Sequence, residues 1–161
     1  MLPLTSLGPM AISSGEARQQ ILDELAEPIE RIGFAAGRLG EAYEALSVGA
    51  ADRLEAELYM PVQKAFGRGK RAYTQYAERH GLSPRSFAPG QLGVPHDGAR
   101  GWIAEAVEAA AAADHMISGL QDSELAIEFG DPELRAGLSE TRELLGRLPA
   151  ASTTFMRSLG R

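Results

Sequence analysis

Between Leu22 and Leu46 the apolar residues Leu22, Leu25, Ile29, Ile32, Ala36, Leu39, Tyr43 and Leu46 follow one another at intervals of three, four, three, four, three, four, three. A repeat averaging 3.5 residues keeps one stripe of a helix turned toward one partner along its whole length, so this seam commits the chain to helices packed side by side. The rest of the sequence follows the same rule. Leu54, Leu58, Val62, Ala65, Gly69, Ala72 and Tyr76 line one side of a second segment, and Gly81 is a natural stop after it. Ile103, Ala106, Ala110, Ala113, Ile117, Leu120 and Ile127 mark a third, with Glu124 the exception, ending at Gly130. Asp131 followed by Pro132 announces a fourth, since the aspartate can cap exposed N–H groups and a proline in the first turn has no donor to waste. Leu134, Leu138, Thr141, Leu145, Leu148, Ser152, Phe155 and Leu159 carry the rhythm to the chain end.

The predicted fold class is therefore all-α, with helices over about 14–46, 50–80, 98–129 and 132–160, and Ser14 read as the first cap. Four matched segments of about 45 Å, at 1.5 Å rise per residue, read as a four-helix bundle of two antiparallel hairpins. The hairpins are joined by a long loop, 81–97, holding Pro84, Pro89 and Pro95. A connection of that length can either cross from one end of the bundle to the other or return at the same end. Pro28, Pro61 and Pro149 fall inside periodic segments and predict bends. The small residues Gly33, Ala35, Ala36 and Gly37 are read as letting backbones approach where those bends fall.

Length and charge narrow the function classes. The 161 residues suit one domain, 14–161, after an N-terminal extension, 1–13. Sixteen Lys and Arg against twenty-two Asp and Glu leave a formal charge of −6, which argues against a nucleic-acid-coating protein. The absence of cysteine excludes disulfides, thiolate metal sites and a cysteine nucleophile. The opening twelve residues contain Pro3 and Pro9 and no basic cluster, unlike a signal peptide, and no apolar run approaches the roughly 20 residues that span a bilayer. A cytoplasmic protein is the expectation.

Lys64, Arg68, Arg71 and Arg79 recur on one face of the second segment, with Lys70 nearby. Two readings follow. The first pairs this stripe with the acidic residues Glu16, Asp23, Glu24, Glu27 and Glu30 on the neighbouring helix of the same hairpin. The second makes it an anion site, since guanidinium groups offer paired donors to phosphate and Arg85 and Arg100 could extend the surface. Tyr73 and Tyr76 lie toward the core, so the stripe lacks the interleaved rings of a base-stacking platform.

In chain length, paired helical hairpins and long middle connection the chain resembles the ferritin-like superfamily. That resemblance implies two metal ions held in the bundle core by glutamates and Glu-x-x-His pairs. The ligands depart from the family pattern: none of His80, His96 and His115 follows a glutamate by three positions, and Glu140 and Glu143 offer only carboxylates. His115 beside Asp114 is read as solvated surface, and His96 with Asp97 lies in the loop. Thr141 and Ser152 stand where leucine would pack better, their hydroxyls bonding back to carbonyls four residues earlier. The seams of segments two and three are rich in alanine and glycine, and a second copy packing on them would add burial. The leading expectation is a non-enzymatic bundle without cofactor or metal, acting as a homodimer or through a protein partner. An anion- or phosphate-binding bundle and a ferritin-like oxidase with atypical ligands are the alternatives.

Overall fold

A computed structural model of the chain describes residues 12–90 and 98–160. The loop residues His96 and Asp97, and all of the N-terminal extension but Ile12 and Ser13, lie outside the described residues. The described chain is all-helical, and among the described residues there is no strand. None of its helices is long and apolar enough to cross a membrane.

Helix α1, Ser14–Glu44, begins where the expected 14–46 does and ends two residues sooner, and its cap is Ser13 and not Ser14. The Glu16 N–H donates to the Ser13 hydroxyl at 3.0 Å while the Ser13 N–H donates back to the Glu16 carboxylate at 3.1 Å. This reciprocal box needs a glutamate three residues after the serine, and only Ser13 has one. Pro28 sits inside α1 without ending it. Helix α2, Val48–Leu54, runs through a π turn, Glu55–Tyr59, into α3, Met60–Arg79. Pro61 directly follows the π turn, where the hydrogen-bond register shifts in the neighbourhood of the donor that its ring removes. At the end of α3, Gly81 adopts φ +69°, and the Leu82 N–H reaches back to the Ala77 carbonyl at 2.8 Å. This left-handed closure is the glycine stop that the sequence announces.

The third and fourth segments are less continuous than their periodicity predicts. Helix α4, Ala99–Asp122, stops at Ser123, whose backbone turns extended, and the short α5, Glu124–Phe129, follows. The Ser123 hydroxyl donates to the Leu120 carbonyl at 2.7 Å and accepts from the Ala126 N–H at 3.1 Å, so one side chain serves both helix ends. The break rotates α5 so that Ala126 is buried and Ile127 is exposed, which overturns the placing of Ile127 in the seam. Helix α6, Pro132–Leu145, is capped by Asp131, and α7, Leu148–Leu159, follows an interruption at Gly146 and Arg147 with Pro149 in its first turn. The predicted single helix over 132–160 is thus two.

The core matches the four seams closely apart from Ile127. Leu22, Leu25, Ile29, Ile32, Ala36 and Leu39 of α1 are buried with Leu54, Leu58, Val62 and Tyr76, Ile103 and Ile117, and Leu134, Leu138, Leu148 and Phe155. Burial on α1 is wider than one seam, because Ile21, Pro28, Ala35 and Ala42, seven residues apart, are buried too. A second stripe means a second neighbour: α1 packs most extensively on α4 and also on α3, while α3 packs on α6. Thr141 is fully buried and its hydroxyl donates to the Gly137 carbonyl at 2.8 Å, the back-bond expected of it.

The first part of the middle loop is laid directly on α1. The Gly90 N–H donates to the Gly33 carbonyl at 2.9 Å. A Cβ on Gly37 would stand 2.6 Å from the Gly90 carbonyl oxygen, and one on Gly90 would stand 2.7 Å from the Phe34 Cα. The ring of Phe87 meets Tyr73 edge-on at 5.0 Å, and Arg85 pairs with Glu30 at 2.7 Å. The small residues Gly33 and Gly37 therefore admit the loop backbone.

Candidate functional site

The basic stripe of α3 faces α6. Arg79 reaches Asp131 with two donors, Nε at 2.9 Å and Nη2 at 2.7 Å, and His80 Nε2 lies 3.0 Å from the same carboxylate. Asp131 also accepts the Leu134 N–H at 2.8 Å as the cap of α6. Partial burial pushes the Asp131 carboxyl up, but the donors of Arg79, Leu134 and His80 outweigh it and hold the group at about 2. The same carboxylate raises Arg79 above its ordinary value, chiefly through the hydrogen bond. Beside them the buried Tyr76 hydroxyl donates to the Phe129 carbonyl at 2.8 Å, and its burial raises its proton affinity. This end of α3 is structurally committed, so Arg79 does not share in a site with the other three.

About three turns back toward the start of α3, Arg68 Nε donates to Glu140 at 2.6 Å. The guanidinium lies close over Gly137, where a Cβ would stand 3.1 Å from Arg68 Nη1 and 2.8 Å from the Ala72 Cβ. Arg68, Lys64 and Arg71 then line a groove of about 370 Å³ with Gly67, Glu140 and Leu144. Lys64 and Arg71 are exposed and have no carboxylate partner among the described residues. Lys70 is turned to the Phe66 ring at 4.0 Å. The expected pairing of the stripe with α1 is therefore replaced by pairing with α6. On α1, Glu27 takes Arg31 at 3.1 Å and Glu30 takes Arg85 from the loop. Arg100 donates to the Met156 carbonyl at 2.9 Å, and neither it nor Arg85 extends the groove.

Sequence reading missed a buried cation. Arg38 is 5% exposed, its Nε lies 3.1 Å from Glu105 of α4, and its guanidinium covers the Phe34 ring at 4.7 Å. The signal was the stripe Ala35 and Ala42, which puts position 38 on the second buried face of α1. Next to it a groove of about 480 Å³ between α1 and α4 is walled by Glu27, Glu30, Glu105 and Glu108. Among the described residues no group of three or more histidine, aspartate or glutamate side chains is placed to hold a metal ion. Glu140 and Glu143 diverge, the first to Arg68 and the second to Arg147 at 3.7 Å. His115 is exposed, and Asp114 takes Arg142 of α6 at 2.8 Å.

The other flank of α6 carries apolar surface. Ile127 is 66% exposed and borders a groove of about 260 Å³ lined by Gln121, Ala126, Leu134, Arg135 and Leu138. Leu134 and Leu138 are buried at its base. No protein-family model matches the chain, and no curated protein and no solved structure matches it either.

Proposed function

We propose that the chain is a non-enzymatic four-helix bundle that acts by pairing with a second copy of itself through the surface around Ile127. The observation that carries this reading is an isoleucine, 66% exposed, standing beside an apolar groove on the same surface. An exposed isoleucine on the wall of a groove suits an isologous contact, in which a twofold rotation would bring each Ile127 to the groove of the other copy. Arg135 lines the groove, and Glu124 and Glu128 are exposed on the same short helix as Ile127, opposite charges that the same rotation could bring together.

The bundle reading rests on which residues meet. Gly69 lies against Ile29 and Gly33 against Phe66, so α3 opposes α1 in direction. Arg79 with Asp131 and Arg68 with Glu140 oppose α6 to α3. Asp114 with Arg142 and Arg100 with Met156 oppose α4 to the α6–α7 pair. By that chain of pairings α3 and α4, consecutive in sequence, run the same way, which supports a connection that crosses over as in ferritin-like topology, its described part, 81–90, lying along α1. Arg85 at Glu30 and Gly90 at Gly33 and Gly37 are two successive steps of that path.

The test is the solution mass of the chain measured by light scattering across a concentration series. The expected result is a dimer whose mass falls to that of one chain in Ile127→Lys, with the helical circular dichroism unchanged because the residue is exposed. A wild-type chain that stays single at high concentration would overturn the reading.

A further inference from the structure

The groove between α3 and α6 has a chemistry that self-association around Ile127 does not use. Three cations, Lys64, Arg68 and Arg71, and one carboxylate, Glu140, line it, leaving a net charge of +2 there on a chain whose formal charge is −6. A local reversal of sign against the whole molecule draws small anions to one place. The three cations differ in how they are held. Arg68 is fixed, its Nε spent on Glu140 and its guanidinium resting over Gly137, where any side chain would crowd it. Lys64 and Arg71, four residues before it and three after, are exposed and without a carboxylate partner among the described residues, so their charge is available. A fixed guanidinium flanked by two long, adjustable cations suits a tetrahedral dianion, which accepts donors from several directions. Gly67 leaves the space between them open, with nothing near its Cβ position.

The same geometry argues against a nucleobase ligand. The nearest rings on α3, Phe66 and Tyr73, are buried, and Lys70 covers Phe66, so no aromatic face is offered for stacking. Leu144 supplies the one apolar wall of the groove. We infer that this groove binds a phosphate group, carried by inorganic phosphate or by a small phosphate ester. Arg79 takes no part, since it pairs with Asp131 and does not line the groove.

The experiment is an amide-resonance titration of the full chain in low salt, with inorganic phosphate in one arm and glycerol phosphate in the other. Shifts confined to residues 64–71 and 137–144, fading as sodium chloride is added, are expected. Tighter binding of the ester assigns the site to phosphorylated small molecules with Leu144 against the carbon chain, and equal binding assigns it to the free ion. Lys64→Gln with Arg71→Gln, both at exposed positions that leave the fold intact, should weaken binding roughly tenfold or more, about 1.4 kcal/mol by the affinity relation. Arg79→Gln should leave it unchanged. Undiminished binding in the double variant, or equal loss in Arg79→Gln, would overturn the inference, as would a titration with no localised shift.

Discussion

Helix α1 and the α4–α5 pair come from the same kind of periodic pattern, and they end as opposites. The first has a proline in its middle and runs unbroken from Ser14 to Glu44. The second has no proline between Ala99 and Phe129 and breaks at Ser123. A missing backbone donor at Pro28 is tolerated because α1 is held on more than one side, by α3, by α4 and by the loop backbone over Gly33 and Gly37. At Ser123 the side chain caps both helix ends, and the new direction of α5 brings the Phe129 carbonyl onto the buried Tyr76 hydroxyl. Continuity in this chain follows from what the flanks offer each turn, more than from the presence of a breaker.

The comparison can be broken most severely at Gly37. Valine there drives a side chain into the Gly90 carbonyl, 2.6 Å from the Cβ position, and so lifts the loop from α1. The expected cost is about 1–3 kcal/mol by the usual range for overpacking, in spite of the better helix propensity of valine. Urea unfolding measures it, and amide exchange at Gly90 should accelerate with it. A variant as stable as the wild type would show that the loop does not brace α1.

A smaller effect is expected at the break itself. Ser123→Ala removes the acceptor for the Ala126 N–H and should cost about 1 kcal/mol, typical of a lost N-cap. If circular dichroism and thermal melting instead show more helix and a higher midpoint, α4 and α5 would prefer to be continuous, and the break would owe nothing to its cap.

Pro28→Ala sharpens the other side of the comparison. It restores a donor inside α1 and removes a buried ring, two contributions of opposite sign, so the net change should stay within about 1 kcal/mol. A loss of several times that amount in chemical denaturation would mean that the neighbours are fitted to the Pro28 ring.

The candidate surfaces were legible in the sequence to unequal degrees. Lys64, Arg68, Arg71 and Arg79 share a helical face because of their spacing alone, and that needed no structure. Which carboxylates they meet depended on which helix lies beside α3, and contacts separated by about 70 residues leave no local trace. The exposed Ile127 was hidden for a related reason: a period counts residues, and the Ser123 break shifts the count by changing the axis.

The sequence by itself determined the all-helical class and most of the core. Heptad spacing, the Asp131–Pro132 start and the left-handed Gly81 stop act within a few residues and are written in the local order of side chains. Only the tertiary structure decided that Arg68 and Arg79 turn to α6, that Arg38 is buried against Glu105, and that Gly33 and Gly37 carry the loop backbone. Those outcomes come from packing rods that each expose more than one usable stripe. The choice among stripes is made by total burial and charge pairing across the assembled helices, which no single segment encodes.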